Sequence, residues 1–251
     1  MNTNDFKTRT EIIEEQSTCP EGYWVLGLDT GYSSVKGKSP NKRFAFPYYA
    51  KKVPEGRAFL REAEDSDIRY RDETGEWVVG KLAYDEVNAK EIVDSEQELT
   101  GRHRFFTDIF RVTTRTGIAL GLMPNKYGSC EDKHIMIEAG LPPKYINDAV
   151  DLREALCGKH DFEVKVGAGN WIKYSIELKE NDIRVMPQPL GSLVSASTNA
   201  NGRQLKTAIQ YWSGNVIVFD PGYGTLDTYI VKRGQVIGKG ETFPEYGMHE
   251  V

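Results

Sequence analysis

The chain has 251 residues, 39% of them hydrophobic, with 24 glycines, a globular composition long enough for one large domain or two small ones. Its 32 basic and 37 acidic residues leave a net charge of -5, which argues against a protein that grips nucleic acid directly by bulk charge. Apolar runs such as Trp24–Leu28 and Val216–Phe219 fall far short of the ~20 residues that span a bilayer, so no membrane association is expected.

Residues 1–22 read as a flexible, solvated lead-in, with acids at Glu11, Glu14 and Glu15 that no signal peptide would carry. Three widely spaced cysteines, Cys19, Cys130 and Cys157, with no CxxC spacing, predict reduced thiols in a cytoplasmic protein. Trp24-Val25-Leu26-Gly27-Leu28 is a continuous apolar run that ends at Asp29, the pattern of a buried strand with a polar tip. A second strand is expected from Ser33 or Ser34 and a third around Arg43–Ala50, with the turn-prone Gly37–Asn41 between them. Ile68–Arg71 and Glu76–Gly80 flank Asp72-Glu73-Thr74-Gly75 and predict a hairpin. Lys81–Gln97 is acidic and weakly helical. Phe105–Leu122 predicts a helix from Phe105, Phe106, Ile109 and Phe110, although Thr113, Thr114 and Thr116 weaken its centre. His134–Ala139 predicts a buried strand and Tyr145–Leu156 a helix. Phe162–Val166, Trp171–Leu178 and Asp182–Met186 predict three more strands, and Leu190–Ser197 a short helix. Val216–Phe219 is another apolar run ending in an aspartate, Asp220, and Thr228–Val231 with Gln235–Ile237 predicts a hairpin after it.

The two strand tips echo each other. Leu26-Gly27-Leu28-Asp29-Thr30-Gly31-Tyr32 matches Ile217-Val218-Phe219-Asp220-Pro221-Gly222-Tyr223 in pattern: buried strand, then Asp-x-Gly-Tyr, then polar residues entering a further strand. Glycine-rich hairpins of this kind present backbone N–H groups in a concave nest suited to phosphate, because no Cβ blocks close approach. A carboxylate at such a tip makes sense if hydrated Mg2+ stands between it and the phosphates. Lys36 adds a point charge for phosphate oxygens, and Gly224, Thr225 and Asp227 extend the second nest. Neither turn is a Walker loop, and Gly222-Tyr223-Gly224 leads into a strand, so it is no Rossmann fingerprint. The four histidines show no metal spacing, and Arg102–Arg104 with Arg111 reads as a solvated basic face.

On these residues the chain resembles the actin-like ATPases, and within them the bacterial plasmid-segregation group typified by ParM and StbA. Leu28–Lys36 is similar to the first phosphate motif of that superfamily and Val218–Asp227 to the second. Gly140-Leu141-Pro142-Pro143 resembles the Gly-Leu-Pro strand end of the actin-like N-terminal domain, and Val185–Ser192 its first connecting segment. The resemblance implies an α/β, actin-like (ribonuclease-H-like) fold with a mixed five-stranded sheet. It places an N-terminal lobe over 23–210 and the start of a second lobe over 211–251. The remainder of that lobe, about 100 residues for its own sheet and helices, and its glycine-rich adenosine motif, would be missing from the chain.

It further implies binding of ATP or GTP with Mg2+ between the hairpins, through Asp29, Gly31, Tyr32, Ser33, Ser34 and Lys36 on one side and Gly222, Tyr223, Gly224, Thr225 and Asp227 on the other. Asp29 and Asp220 would hold the metal through water, with Asp220 also polarising the attacking water that Gln188 positions. An amide orients water without taking its proton, and no carboxylate lies between Met186 and Ala200, which favours a slow ATPase over a kinase that needs a base. The implied partners are further copies of the chain in a filament and a DNA-bound adaptor protein. Two alternatives stay open: a non-catalytic interaction module, and a small-molecule kinase or chaperone ATPase of the same superfamily.

Overall fold

The computed structural model describes residues 9–57, 59, 61–86, 102–199 and 201–248. Its centre is a mixed six-stranded sheet in the order β1-β4-β3-β2-β8-β11. The strands are β1 (Glu11–Glu14), β2 (Tyr23–Thr30), β3 (Ser34–Ser39), β4 (Lys42–Pro47), β8 (His134–Leu141) and β11 (Ile183–Pro187). The β2-β3-β4 meander is antiparallel, whereas β8 and β11 run parallel to β2. Five of these strands are the expected mixed sheet. The sixth, β1, corrects the reading of residues 1–22 as wholly loose: Ile12 packs on the core while Glu11–Glu14 pair in register with Lys42–Ala45. A single apolar contact beside acidic neighbours left no sequence period to detect.

A second, antiparallel sheet runs β10-β9-β6-β7-β5, built from β5 (Ala50–Lys52), β6 (Ile68–Asp72), β7 (Gly75–Val79), β9 (Gly158–Val166) and β10 (Ile172–Leu178). The strand expected over Arg43–Ala50 is thus cut at Tyr48, where the chain leaves the first sheet for the second. Helix α1 (Lys81–Glu86) follows β7; the rest of the helix expected to Gln97 lies outside the described residues. Helix α2 (Asp108–Leu122) packs against strands of both sheets and joins them into one core around Trp24, Leu26, Phe46, Phe110 and Ile137. Its threonines do not break it. Thr113 Oγ1 donates to the Ile109 carbonyl at 2.7 Å and Thr116 Oγ1 to Val112 at 2.8 Å, so these two buried hydroxyls are satisfied inside the helix, while Thr114 Oγ1 is buried without a hydrogen-bond partner. The helix starts at Thr107, whose hydroxyl accepts from Phe110 N–H at 3.2 Å, and residues 102–106 before it form a 3-10 turn rather than its first turn.

After a 3-10 turn at Pro143–Asp148 come α3 (Ala149–Leu156) and α4 (Gln188–Ser197), the latter laid against β8, β11 and a third sheet. That sheet, β12-β13-β14, comprises β12 (Asn215–Pro221), β13 (Leu226–Lys232) and β14 (Gln235–Phe243). Leu193, Tyr229 and Val231 form its small core, with Val216 and Val218 packed against them. Helix α5 (Ala208–Ser213) covers residues 210 and 211, the expected lobe boundary, and packs on α4, β12 and β13. No helix among the described residues is long and apolar enough to cross a membrane.

Candidate functional site

Strands β2 and β12 deliver the two Asp-x-Gly tips to one cleft of about 1010 Å³. The turns are copies in geometry as well as in sequence. A Cβ built on Gly31 would meet the Ser34 carbonyl at 3.1 Å, and one on Gly222 would meet the Thr225 carbonyl at 3.1 Å. Their registers match too: Asp29 lies opposite Lys36 in the first hairpin, and Asp220 opposite Asp227 in the second. The same device therefore sets opposite charges across the first hairpin and two carboxylates across the second. Every residue expected at the site lines this cleft: Asp29, Gly31, Tyr32, Ser33, Ser34, Lys36, Gln188, Asp220, Gly222, Tyr223, Gly224, Thr225 and Asp227.

The electrostatics follow from that asymmetry. Enclosure pushes the Asp29 carboxyl above its usual range and the Asp220 charge adds to this, while Lys36, Arg104 and a hydrogen bond from Gln188 pull the other way. Burial likewise raises Asp227, helped by Asp220 and opposed by the hydroxyls of Thr242 and Thr225, the latter donating to Asp227 Oδ2 at 3.1 Å. The other Asp227 oxygen, Oδ1, is buried with no hydrogen-bond partner. Such an arrangement of like charges and an orphaned acceptor suits a cation held near the second hairpin. No group of three or more ligating side chains that could hold a metal occurs among the described residues. A metal here would thus keep most of its waters, as magnesium does beside phosphates, with Asp29 and Asp220 reaching it through them.

Gln188 sits at the first position of α4, where β11 ends and the helix turns its N-terminus toward the cleft. Its Nε2 donates to Asp29 Oδ1 at 3.1 Å, which leaves the amide oxygen as an acceptor for water. Room for it comes from Gly140 at the end of β8: a Cβ there would fall 2.8 Å from Gln188 Cγ. Ser192, one turn further along α4, donates to Asp220 Oδ2 at 3.4 Å, so a single short helix contacts both strand-tip aspartates.

The hairpins also touch. A Cβ on Gly224 would lie 2.6 Å from Tyr32 Cδ2, so the absence of a side chain at Gly224 admits the Tyr32 ring from the opposite hairpin. On Tyr32 rests the Arg104 guanidinium, 4.8 Å from the ring centroid. The reading of Arg102–Arg104 as a solvated face is corrected here: Arg104 is 5% exposed and lines the cleft. Gly140 and Ser192 fell within segments that resemble the family but carried no site role there, and Arg104 had a misleading signal, since the partner that buries it, Tyr32, is remote in sequence.

Residues 27–191 match the family described as actin-like proteins, N-terminal domain. Among solved structures, a pCBH ParM non-polymerisable quadruple mutant is similar at a TM-score of 0.64 and 21% identity, over 90% of this chain and 65% of that one. Apo psk41 ParM is similar at a TM-score of 0.62 and 16% identity, over 92% of this chain and 68% of that one. A 15-stranded ParM filament from Clostridium botulinum is similar at 0.58 and 19%, over 90% of this chain and 65% of that one. At these identities the likeness carries the fold, and the chain spans about 65% of the length of the first of these structures. No curated protein matches the chain.

Proposed function

The chain belongs to the actin-like protein family through its N-terminal domain, and from that premise we propose that it binds ATP with magnesium between its two hairpins, hydrolyses it slowly, and assembles into filaments that segregate plasmid DNA. One observation carries the reading: two hairpins of matched turn and register face one cleft, with Gln188 bonded to the first and Ser192 of the same helix bonded to the second. Backbone N–H groups of the Gly31 and Gly222 turns hold phosphate oxygens, and Lys36 neutralises them. Magnesium would spread the phosphate charge and order its waters between Asp29 and Asp220. Gln188 holds the attacking water by its amide oxygen while Asp29 fixes the amide, and Asp220 polarises that water in the transition state.

ATP and GTP share the phosphates this cleft would recognise, and nothing in the hairpins selects the base. Self-assembly is supported by the ParM filament structure above, which shares this fold. With a net charge of -5, the link to DNA would be an adaptor protein rather than the chain itself. Free Cys19, Cys130 and Cys157 accord with a reducing cytoplasm.

The test is calorimetric titration of the chain with ATP and magnesium, then phosphate release and light scattering on the same protein. Lys36→Ala should weaken ATP binding about tenfold, the share of one charge-assisted contact. Asp220→Asn should keep binding within a few-fold while phosphate release stops, because its contribution is confined to the transition state. Undiminished turnover by Asp220→Asn would make Asp220 a turn residue and defeat the mechanism.

A further inference from the structure

Arg104 is the one arginine in the buried class among the described residues, and its environment is that of a cation waiting for an anion. The other arginines near the core are paired: Arg111 and Arg115 both reach Asp72, at 3.6 Å and 3.3 Å. Arg104 forms no ion pair with any described carboxylate, and its Nη1 is buried without a hydrogen-bond partner. It is held by aromatic faces instead, 4.8 Å from the Tyr32 centroid and 5.0 Å from that of Phe105. Stacking fixes a guanidinium plane but satisfies none of its five N–H donors. An unpaired buried charge costs stability, and an arginine serving only as packing would be better replaced by an apolar side chain.

Its position gives the anion. Arg104 lines the same cleft as both hairpins, and it is close enough to Asp29 to draw that carboxyl's pKa downward. It stands on Tyr32, which itself fills the space over Gly224 of the second hairpin. Its backbone is anchored as well: the Arg104 carbonyl accepts from the Thr107 hydroxyl at 2.9 Å, at the start of α2. A planar, stacked, preorganised guanidinium beside a phosphate nest is suited to bidentate contact with phosphate oxygens.

We propose that Arg104 is a third phosphate-binding element of this cleft, a ligand for the terminal phosphate of the bound nucleotide that lets the protein distinguish a triphosphate from a diphosphate. The proposal rests on the nucleotide reading above and adds to it a residue outside both hairpins. Tyr32 makes the contact consequential, since a shift of the guanidinium toward an anion moves the ring that spaces the two hairpins.

Titration of the wild-type chain, Arg104→Met and Arg104→Lys with ATP, ADP and inorganic tripolyphosphate, each with magnesium, tests it, beside thermal melting of the ligand-free proteins. The expected result is that Arg104→Met weakens ATP and tripolyphosphate at least about tenfold and ADP less than about threefold. Arg104→Lys should recover part of the difference, because it keeps the charge and loses the fork. Ligand-free Arg104→Met should melt no lower than wild type, which a structural arginine would not allow. Equal ATP affinity in wild type and Arg104→Met, with Lys36→Ala still weakened, overturns the role of Arg104 and leaves the nucleotide reading standing. If neither nucleotide binds the wild type, the nucleotide reading fails. The arginine is then decided by tripolyphosphate alone: binding lost in Arg104→Met supports it, and binding unchanged or absent rejects it.

Discussion

Two glycines and one carboxylate set tight tolerances in the cleft. Gly224→Ala would set a methyl 2.6 Å from the Tyr32 ring. Overpacking of that size costs about 1–3 kcal/mol, so the variant should melt about 2–12 °C lower and bind ATP less tightly. Gly140→Ala pushes on Gln188 Cγ rather than on a ring locked between hairpins. It should therefore lower the rate of phosphate release with little change in ATP affinity, and equal losses in both would mean that Gln188 acts in binding. Asp227 poses the opposite case. Burial and Asp220 raise its pKa above the ordinary 3.8, so its charged form burdens the ligand-free fold at every pH above the folded value. Asp227→Asn keeps an acceptor for Thr225 and removes that charge. A higher Tm than wild type at pH 7 is expected. The difference should vanish below pH 3.8, where the carboxyl is protonated in folded and unfolded chains alike.

Between β6, β9 and α2 lies a buried polar network that the site does not use. Arg115 Nε donates to His160 Nδ1 at 3.1 Å and Arg115 Nη1 to Tyr70 Oη at 3.1 Å, while Tyr70 donates to Asp72 at 2.8 Å. His160 Nε2 donates to the Leu156 carbonyl at 2.9 Å, so the neutral tautomer with its proton on Nε2 is the one this geometry requires. Burial, reinforced by Arg115, lowers the His160 pKa below its usual 6.5. The unfolded chain then takes up a proton that the folded chain refuses as pH falls below 6.5, and stability is lost in that direction. Denaturation midpoints should drop between about pH 7 and about pH 5.5. His160→Gln, which can satisfy Arg115 and Leu156 without titrating, should make that segment of the profile flatter. An unchanged slope would assign the acid sensitivity to another group. As an element, α2 was legible from Phe105 to Leu122 except for its first turn, which the Thr107 cap moves to Asp108.

On the scale of the molecule, the third sheet has one dressed face and one bare one. Val216 and Val218 pack toward α4 and α5, whereas Ile217 and Phe219, alternating with them, are 57% and 63% exposed, and Ile230 on β13 is 47% exposed. Exposed apolar faces of this kind are association sites. Phe219→Glu should reduce light scattering of the ligand-free chain and its binding of a hydrophobic dye while leaving Tm unchanged. A fall in Tm would show that Phe219 contributes to the fold itself.

By itself, the order of residues determined the strand tips, the Asp-x-Gly repeat and the family resemblance. Those signals are local: an apolar run, a polar tip and a glycine turn sit within a few positions of one another, and each hairpin closes on its own neighbours. It also determined most of the central sheet, because buried strands such as Trp24–Leu28 are continuous apolar runs whatever they pair with. Only the tertiary structure decided what the repeat surrounds. Arg104 became a buried cation because Tyr32, far away in sequence, covers it, and Gly140 mattered because a helix begun at Pro187 brings Gln188 against it. Strand β1 formed because β4 offered an open edge, which four residues with one apolar contact could not announce. Contacts between sequence-distant residues have no period or spacing to read, and they appear only when the sheets fix who stands beside whom.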